Sequence, residues 1–361
     1  MNKWFSQKIP TEKLHFQFKC LLDYGYKSER ELLETWIDEF PIKDGLNKTI
    51  IEFQSTFRST FWELYLNKVI VSSGWQVDPE AVSPDFIIKK GNKTYSIEAV
   101  VANFAQNSRA EERRTIEDIY DDNDIYEIVD ASILRVLNAI TFKSKKYFTH
   151  YSKNEHVTTN PYIIAVADYG QVNYGQVAFY SMMSVLYNAD YDPEDKLDLK
   201  IYCEDNFGNE YKYIDSYKKE NGTELPLGLF SDDKNKHISA ILFTCTLTLG
   251  KLTSLTRSHT CRRFIYLERE NIKQIRKSGS EPDESLCDGL FLCLNPYSEN
   301  PIDPKSFQGK GVTVIPGYLE NEYEYGFNID CEGSSPLIRR KVGKSGQESE
   351  LLNDLEDFTF F

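Results

Sequence analysis

The sequence predicts a mixed α/β fold, and three observations carry that prediction. Gly91-Asn92 sits between two β-prone runs, the composition of a tight hairpin loop. Apolar residues recur at helical spacing on both sides of that hairpin. Short apolar runs of strand length, such as Tyr162 to Ala167 after Asn160-Pro161, suit the buried middle of a sheet.

Taken in order, the first fifty residues alternate Leu, Phe, Trp and Tyr with charges at helical spacing and predict a small helical cap. A longer helix is expected from Ile50 to Val69, where Phe53, Phe57, Phe61 and Leu64 fall at i, i+4, i+8 and i+11. A strand follows around Trp75 to Val77, then the hairpin, then an acidic stretch read as partly helical or mobile. A second strong helix runs from Ile133 to Tyr151. Buried strands are expected at Tyr162 to Ala167, Ile238 to Thr244, Phe264 to Leu267 and Leu290 to Leu294, the last three extending the sheet from the C-terminal half. Long polar connections such as Tyr187 to Glu220 lie between them. The chain shows no internal repeat.

Composition narrows the classes. With 361 residues, 40% hydrophobic and 14% aromatic, the chain can bury a large core in one to three domains. No apolar run reaches the roughly 18–20 residues of a membrane span. Lys3 near the N-terminus has no apolar segment behind it, so no secretory signal is read and a cytoplasmic location is expected. Seven dispersed cysteines without a CxxC predict reduced, partly buried thiols, and five dispersed histidines give no metal-site spacing.

The net charge of −14 opposes nucleic acid as a partner, but its distribution does not. Arg109 to Asp130 (net −6) and Ser345 to Phe361 (net −5) hold most of it. By contrast, Ser132 to Asn154 carries Arg135, Lys143, Lys145, Lys146 and Lys153 without one acid, so a basic face can exist on an acidic protein. The acidic end, Leu351 to Phe361, reads either as an element docked on the body or as a partner-binding tail.

The hairpin is where chemistry enters. If Gly91 and Asn92 form the loop, Lys90 pairs with Lys93, and counting outward sets Asp85 opposite Glu98 on one face. Opposed residues have Cβ atoms about 4.5–5.5 Å apart, and like charges there destabilise a sheet. A divalent cation is the commonest compensation, because hard oxygen ligands suit magnesium, manganese or calcium.

The order helix, strand, hairpin, helix, buried strand, with Pro84-Asp85 in one hairpin arm and Glu98 in the other, resembles the PD-(D/E)XK nuclease superfamily over about Ile50 to Tyr169. The resemblance implies a restriction-endonuclease-like α/β core with a mixed sheet. It also implies Asp85 and Glu98 as ligands of Mg2+ or Mn2+. Glu63, in the family's first-helix position, is a third candidate ligand; its alternative reading is a surface residue or a partner of Arg58.

One position departs from the family. The lysine two residues after the second acid is Val100 here, which cannot stabilise charge on a phosphate. Either the site is inactive or a cation comes from elsewhere. On the following helix, Arg135, Lys143 and Lys146 share roughly one face, and Lys143 precedes Tyr147 by four residues, similar to the Gln-x-x-x-Tyr element of RecB-like members. Lys143, then Lys146, are the expected catalytic cations; Arg135, Lys145 and Lys153 are expected to bind nucleic acid. A solvated basic helix face is the alternative for each.

The expectations are therefore a helical cap (1–48), a nuclease-like core (49–170) and a C-terminal extension packed on it (171–361). The function implied is metal-dependent cleavage of phosphodiester bonds, of DNA before RNA, in prokaryotic defence or DNA processing. No membrane is involved, and a homodimer or protein partner is compatible with the chain. The alternatives are an inactive nuclease-fold binding or assembly module, RNA cleavage, or an acidic interaction protein in which Asp85 and Glu98 lie on different faces. Gly343-Lys344-Ser345 has Ile338 where a P-loop needs its upstream glycine, and no Gly-x-Ser-x-Gly is present.

Overall fold

The computed structural model describes residues 2–81, 83–103, 125–170, 177–191, 202–219, 221–256, 260–268, 271–279, 284–307, 311–317, 326–331 and 335–344. Most of the acidic stretch between the hairpin and the second long helix, and the whole acidic tail, lie outside the described residues.

The N-terminal segment is helical, with α1 (Phe16–Leu22), α2 (Lys27–Asp38), α3 (Leu46–Ser55) and α4 (Phe57–Ser72). The helix expected over Ile50–Val69 is two helices, broken at Thr56 (φ −117°, ψ 45°). Ser55 and Thr56 turn their hydroxyls back onto the carbonyls of Ile51 and Glu52, the local competition that makes these residues poor in helix interiors. The aromatic ladder survives the break: the Phe53, Phe57 and Phe61 rings follow one another at 5.2 and 5.1 Å.

A seven-stranded mixed sheet forms the centre. Its strands are β1 (Gln76–Val77), β2 (Phe86–Lys90), β3 (Lys93–Ala102), β4 (Tyr162–Asp168), β10 (Ala240–Thr244), β13 (Leu290–Leu294) and β14 (Val312–Ile315), adjacent in that order. The expected strands at the hairpin, Tyr162, Ile238 and Leu290 all join it. The β3–β4, β4–β10 and β13–β14 pairs are parallel and the others antiparallel.

Phe264 to Leu267 departs from expectation. It belongs to β11 (Thr260–Glu268), which pairs with β12 (Asn271–Gly279) and β16 (Leu337–Lys344) in a separate three-stranded sheet. The short connection to β12 makes a hairpin of neighbours, and β16 takes the other edge, so β11 has no edge left for the main sheet. The polar connection 187–220 likewise contains β5 (Ala189–Tyr191), β6 (Cys203–Asp205), β7 (Glu210–Tyr213) and β8 (Ser216–Lys218). β5, β6, β7 and β15 (Gly326–Phe327) form a small sheet, and β8 pairs with β9 (Glu224–Pro226).

Apolar clusters cover both faces of the main sheet. One joins Trp4, Phe18, Trp36, Phe61 and Trp62 to Ile97, Ile163 and Leu242, so the N-terminal helices share a core with the sheet. The Trp62 indole also donates to the Ala165 carbonyl of β4 at 3.1 Å, pinning α4 across the strands. The second cluster packs α5 (Ile125–Lys146) and α7 (Tyr180–Tyr187) on the other face through Ile133, Ile140, Met183 and Leu186; α6 (Glu155–Thr158) precedes β4. α8 (Leu249–Leu255) follows β10. Among the described residues no helix is long and apolar enough to cross a membrane. Five of the cysteines are buried free thiols and Cys20 is half-buried.

Candidate active site

The hairpin register is the one counted from the turn: Lys90 pairs with Lys93 and Phe86 with Ile97. Gly91 has φ +61° while Asn92 does not, which is the II′ pattern, and only glycine takes the first position without strain. Asp85 is the residue just before the ladder, and Glu98 is the next step along β3. Asp85 Oδ2 accepts the Ala99 N–H at 2.7 Å, so the side chain folds over the opposite strand.

Glu98 points to the α5 side of the sheet, and its side chain is fully buried. Three donors converge on it. Lys143 Nζ is 2.6 Å and Lys146 Nζ 2.5 Å from Oε1, and the Tyr151 hydroxyl donates to Oε2 at 2.8 Å. Lys143 Nζ is also 3.8 Å from Asp85 Oδ2. One ammonium thus faces both acids, which rules out the arrangement with Asp85 and Glu98 on separate faces.

The two carboxyls differ in electrostatics. Burial pushes Asp85 up and the charge of Glu98 adds to it, with Lys143 opposing. Burial also works to raise Glu98, but the Lys143 charge and the bonds from Lys143, Lys146 and Tyr151 outweigh it and hold that carboxyl below its ordinary value. For Lys146, burial disfavours the charge, yet its bonds to Glu98 and Tyr151 raise it overall.

Glu63 on α4 is the third acid. Burial, with the nearby charge of Asp85, pushes its carboxyl up to about 8. Arg58, on the same helix, bonds Gln17 and lies over the Tyr169 ring.

Two participants were not legible in the sequence. Tyr151 ends a π-helical turn, Tyr147–Tyr151, closed by Ser152 N–H to Tyr147 C=O at 2.9 Å. Ideal α-helical periodicity turns residue 151 away from residue 146; the wider turn brings it under Lys146, whose Nζ is 5.4 Å from the Tyr151 ring centre. The Tyr147 paired with Lys143 by spacing instead packs on Tyr162 and His237. Lys43, in the segment after α2, donates to the Asp85 carbonyl at 2.8 Å, and burial lowers its pKa. No spacing links residue 43 to residue 85.

The other basic residues lie elsewhere. Arg135, two turns before Lys143, has its side chain 15% exposed and its Nε 3.5 Å from the buried Asp168 at the end of β4. Lys145 and Lys153 are exposed. Val100 faces the α5 side, half-buried against that core, and supplies no charge. A cavity of about 500 Å³ lies beside β14, lined by Asn206, Asn328 and Asp330, and contains none of these residues.

The donor set fits a hard divalent cation in a limited sense. Among the described residues no group of three or more His, Cys, Asp and Glu is placed to hold a metal. Magnesium, however, is commonly held by one or two carboxylates plus waters and substrate phosphate oxygens, and Asp85 with either neighbouring acid supplies that many. The raised carboxyls of Asp85 and Glu63 are groups that such an ion would favour in their charged form.

No family model, no curated protein and no solved structure matches the chain.

Proposed function

We propose that this protein is a metal-dependent phosphodiesterase acting on nucleic acid, DNA before RNA, on a restriction-endonuclease-like core. The observation that carries the reading is Lys143: its ammonium, from α5, faces both Asp85 and Glu98 and supplies the charge that Val100 lacks.

Asp85 and Glu98, with Glu63 beside them, would hold Mg2+ or Mn2+, which would activate water and offset charge on the phosphate. The chain's own residues do the rest. Lys143 places a positive charge where negative charge develops on the transferring phosphoryl group, in a setting partly shielded from water. Lys146 and Tyr151 hold Glu98 in one orientation, and the Ala99 N–H and Lys43 fix Asp85 from side chain and backbone. A role in prokaryotic defence or DNA processing is consistent with this chemistry.

A second reading has its own observation. Glu98 already receives three donors, so its charge is compensated without a metal. That arrangement suits a nuclease-fold binding or assembly module.

Incubation of the purified protein with plasmid, linear DNA and RNA, in magnesium, manganese or chelator, separates the two. Cleavage that needs the divalent ion and disappears in Asp85→Asn and Glu98→Gln supports the phosphodiesterase. Cleavage surviving both substitutions, or binding of manganese and nucleic acid without cleavage of any substrate, sinks it.

A further inference from the structure

We propose that the exposed ring of Phe142, on the outer side of the C-terminal half of α5, is a stacking platform for an unpaired base of a single-stranded nucleic acid running toward the Asp85–Glu98 centre. The substrate class rests on the phosphodiesterase reading above; the platform deepens it by choosing single strands over duplex.

Phe142 is 65% exposed, although α5 buries its opposite face deeply through Ile133, Leu137 and Ile140. Scattered exposed apolar residues are ordinary; position sets this one apart. Lys145 and Lys146 stand three and four residues on, the helix spacings that bring side chains side by side. Lys146 is itself bonded to Glu98, so the ring borders a side chain of the site. Asn138, Phe142 and Lys145 form one exposed stripe at i, i+4 and i+7.

Charge points the same way. From Ser132 to Asn154 there is no acid; of the five bases Lys145 and Lys153 are exposed, while Arg135 turns to Asp168 and Lys143 and Lys146 to Glu98. A phosphate backbone is the complementary partner for such a face. The other exposed phenylalanine here, Phe148, lies against the His237 ring at 4.5 Å, whereas Phe142 has no ring neighbour among the described residues. Its π-face is open.

Single strands are favoured because a ring needs the face of a base, and duplex bases are already stacked on each other. Aromatic platforms beside a basic track are how sequence-tolerant single-strand binding is built. Removing one such platform weakens binding about 5- to 150-fold.

The test is fluorescence anisotropy of the full chain in chelator, with a labelled oligothymidylate of about 16 nucleotides and a duplex of equal length. Phe142→Ala is expected to weaken single-strand binding by that factor and leave duplex binding unchanged. Phe142→Trp is expected to retain affinity, with its added indole emission quenched on binding. Lys145→Gln should weaken both ligands and lower the salt slope by about one. Unchanged single-strand affinity in Phe142→Ala, equal losses on both ligands, or no binding of either oligonucleotide by the parent chain overturns the proposal. Binding in chelator requires no cleavage, so the two readings fail separately. Phe142-dependent binding without cleavage defeats only the phosphodiesterase; cleavage without Phe142 dependence defeats only the platform.

Discussion

Lys143 and Glu98 meet at 2.6 Å, although 45 residues and a change from helix to strand separate them. Glu98 sits in a strand flanked on both sides by other strands, and Lys143 in the last turn of the helix covering it. The charge that a strand lysine at position 100 would supply therefore arrives from the layer above.

That relationship can be moved. Lys143→Met is expected to reduce divalent-dependent cleavage on the order of 10²–10³-fold in kcat, the scale of losing one charge-stabilising donor. Lys146→Met should cost less, because Lys146 pairs with Glu98, whereas Lys143 faces Asp85 as well. In the double variant Lys143→Met, Val100→Lys, the ammonium returns to the strand and part of the rate should recover. Single-turnover kinetics on saturating substrate checks this, and a double variant as slow as Lys143→Met alone would count against the lysine's role.

Tyr151→Phe removes the donor to Glu98 Oε2 and leaves a buried acceptor unpaired. The expected cost is about 1–3 kcal/mol of unfolding free energy. Urea denaturation at neutral pH measures it. A variant as stable as the parent would show that the π turn holds Glu98 without this bond.

Glu63 gives a pH signature. Its folded-state carboxyl, at about 8, lies above its ordinary 4.5. Between those values the folded chain keeps a proton that the unfolded chain has lost. Its contribution to stability is therefore complete below about pH 4.5 and falls as pH rises toward 8. Glu63→Gln should remove that part of the slope and melt higher than the parent at pH 8. Saturating magnesium should flatten the parent's slope in the same way, by favouring the carboxylate. Melting temperatures of both proteins across the range, with and without magnesium, decide it.

Away from the site, Glu284 joins two cations in the interior. Lys251 Nζ on α8 is 2.5 Å from Oε1, and the Arg340 guanidinium of β16 bonds both carboxylate oxygens. All three side chains are at most 2% exposed. Glu284→Ala leaves two buried positive charges and is expected to cost about 3–5 kcal/mol, whereas replacing the whole triad by apolar residues of similar volume should cost little. Chemical denaturation of the two variants separates these outcomes, and an unaltered Glu284→Ala would deny the triad a role in docking β16.

The break between α3 and α4 shows where periodicity misleads. Phe53, Phe57 and Phe61 keep helical spacing and do form one aromatic ladder, but Ser55 and Thr56 bend the backbone beneath it. β11 misleads differently. Its strand character is local and correct, whereas the sheet it joins depends on which neighbours reach its edges first.

By itself, the sequence determined the hairpin and its register, because a Gly-Asn loop and a two-residue side-chain period act over only a few residues. It likewise determined the buried runs at Tyr162, Ile238 and Leu290, whose apolar content permits little besides a sheet interior. Tertiary structure alone decided that Lys143 and Lys146 both close on Glu98, that Tyr151 joins them through a π turn, and that Lys43 reaches Asp85. It also decided that Arg135 turns to Asp168 and that burial raises the Glu63 carboxyl. Those outcomes depend on how helices are laid across strands and how far each carboxyl is removed from water, and neither is written in any local spacing.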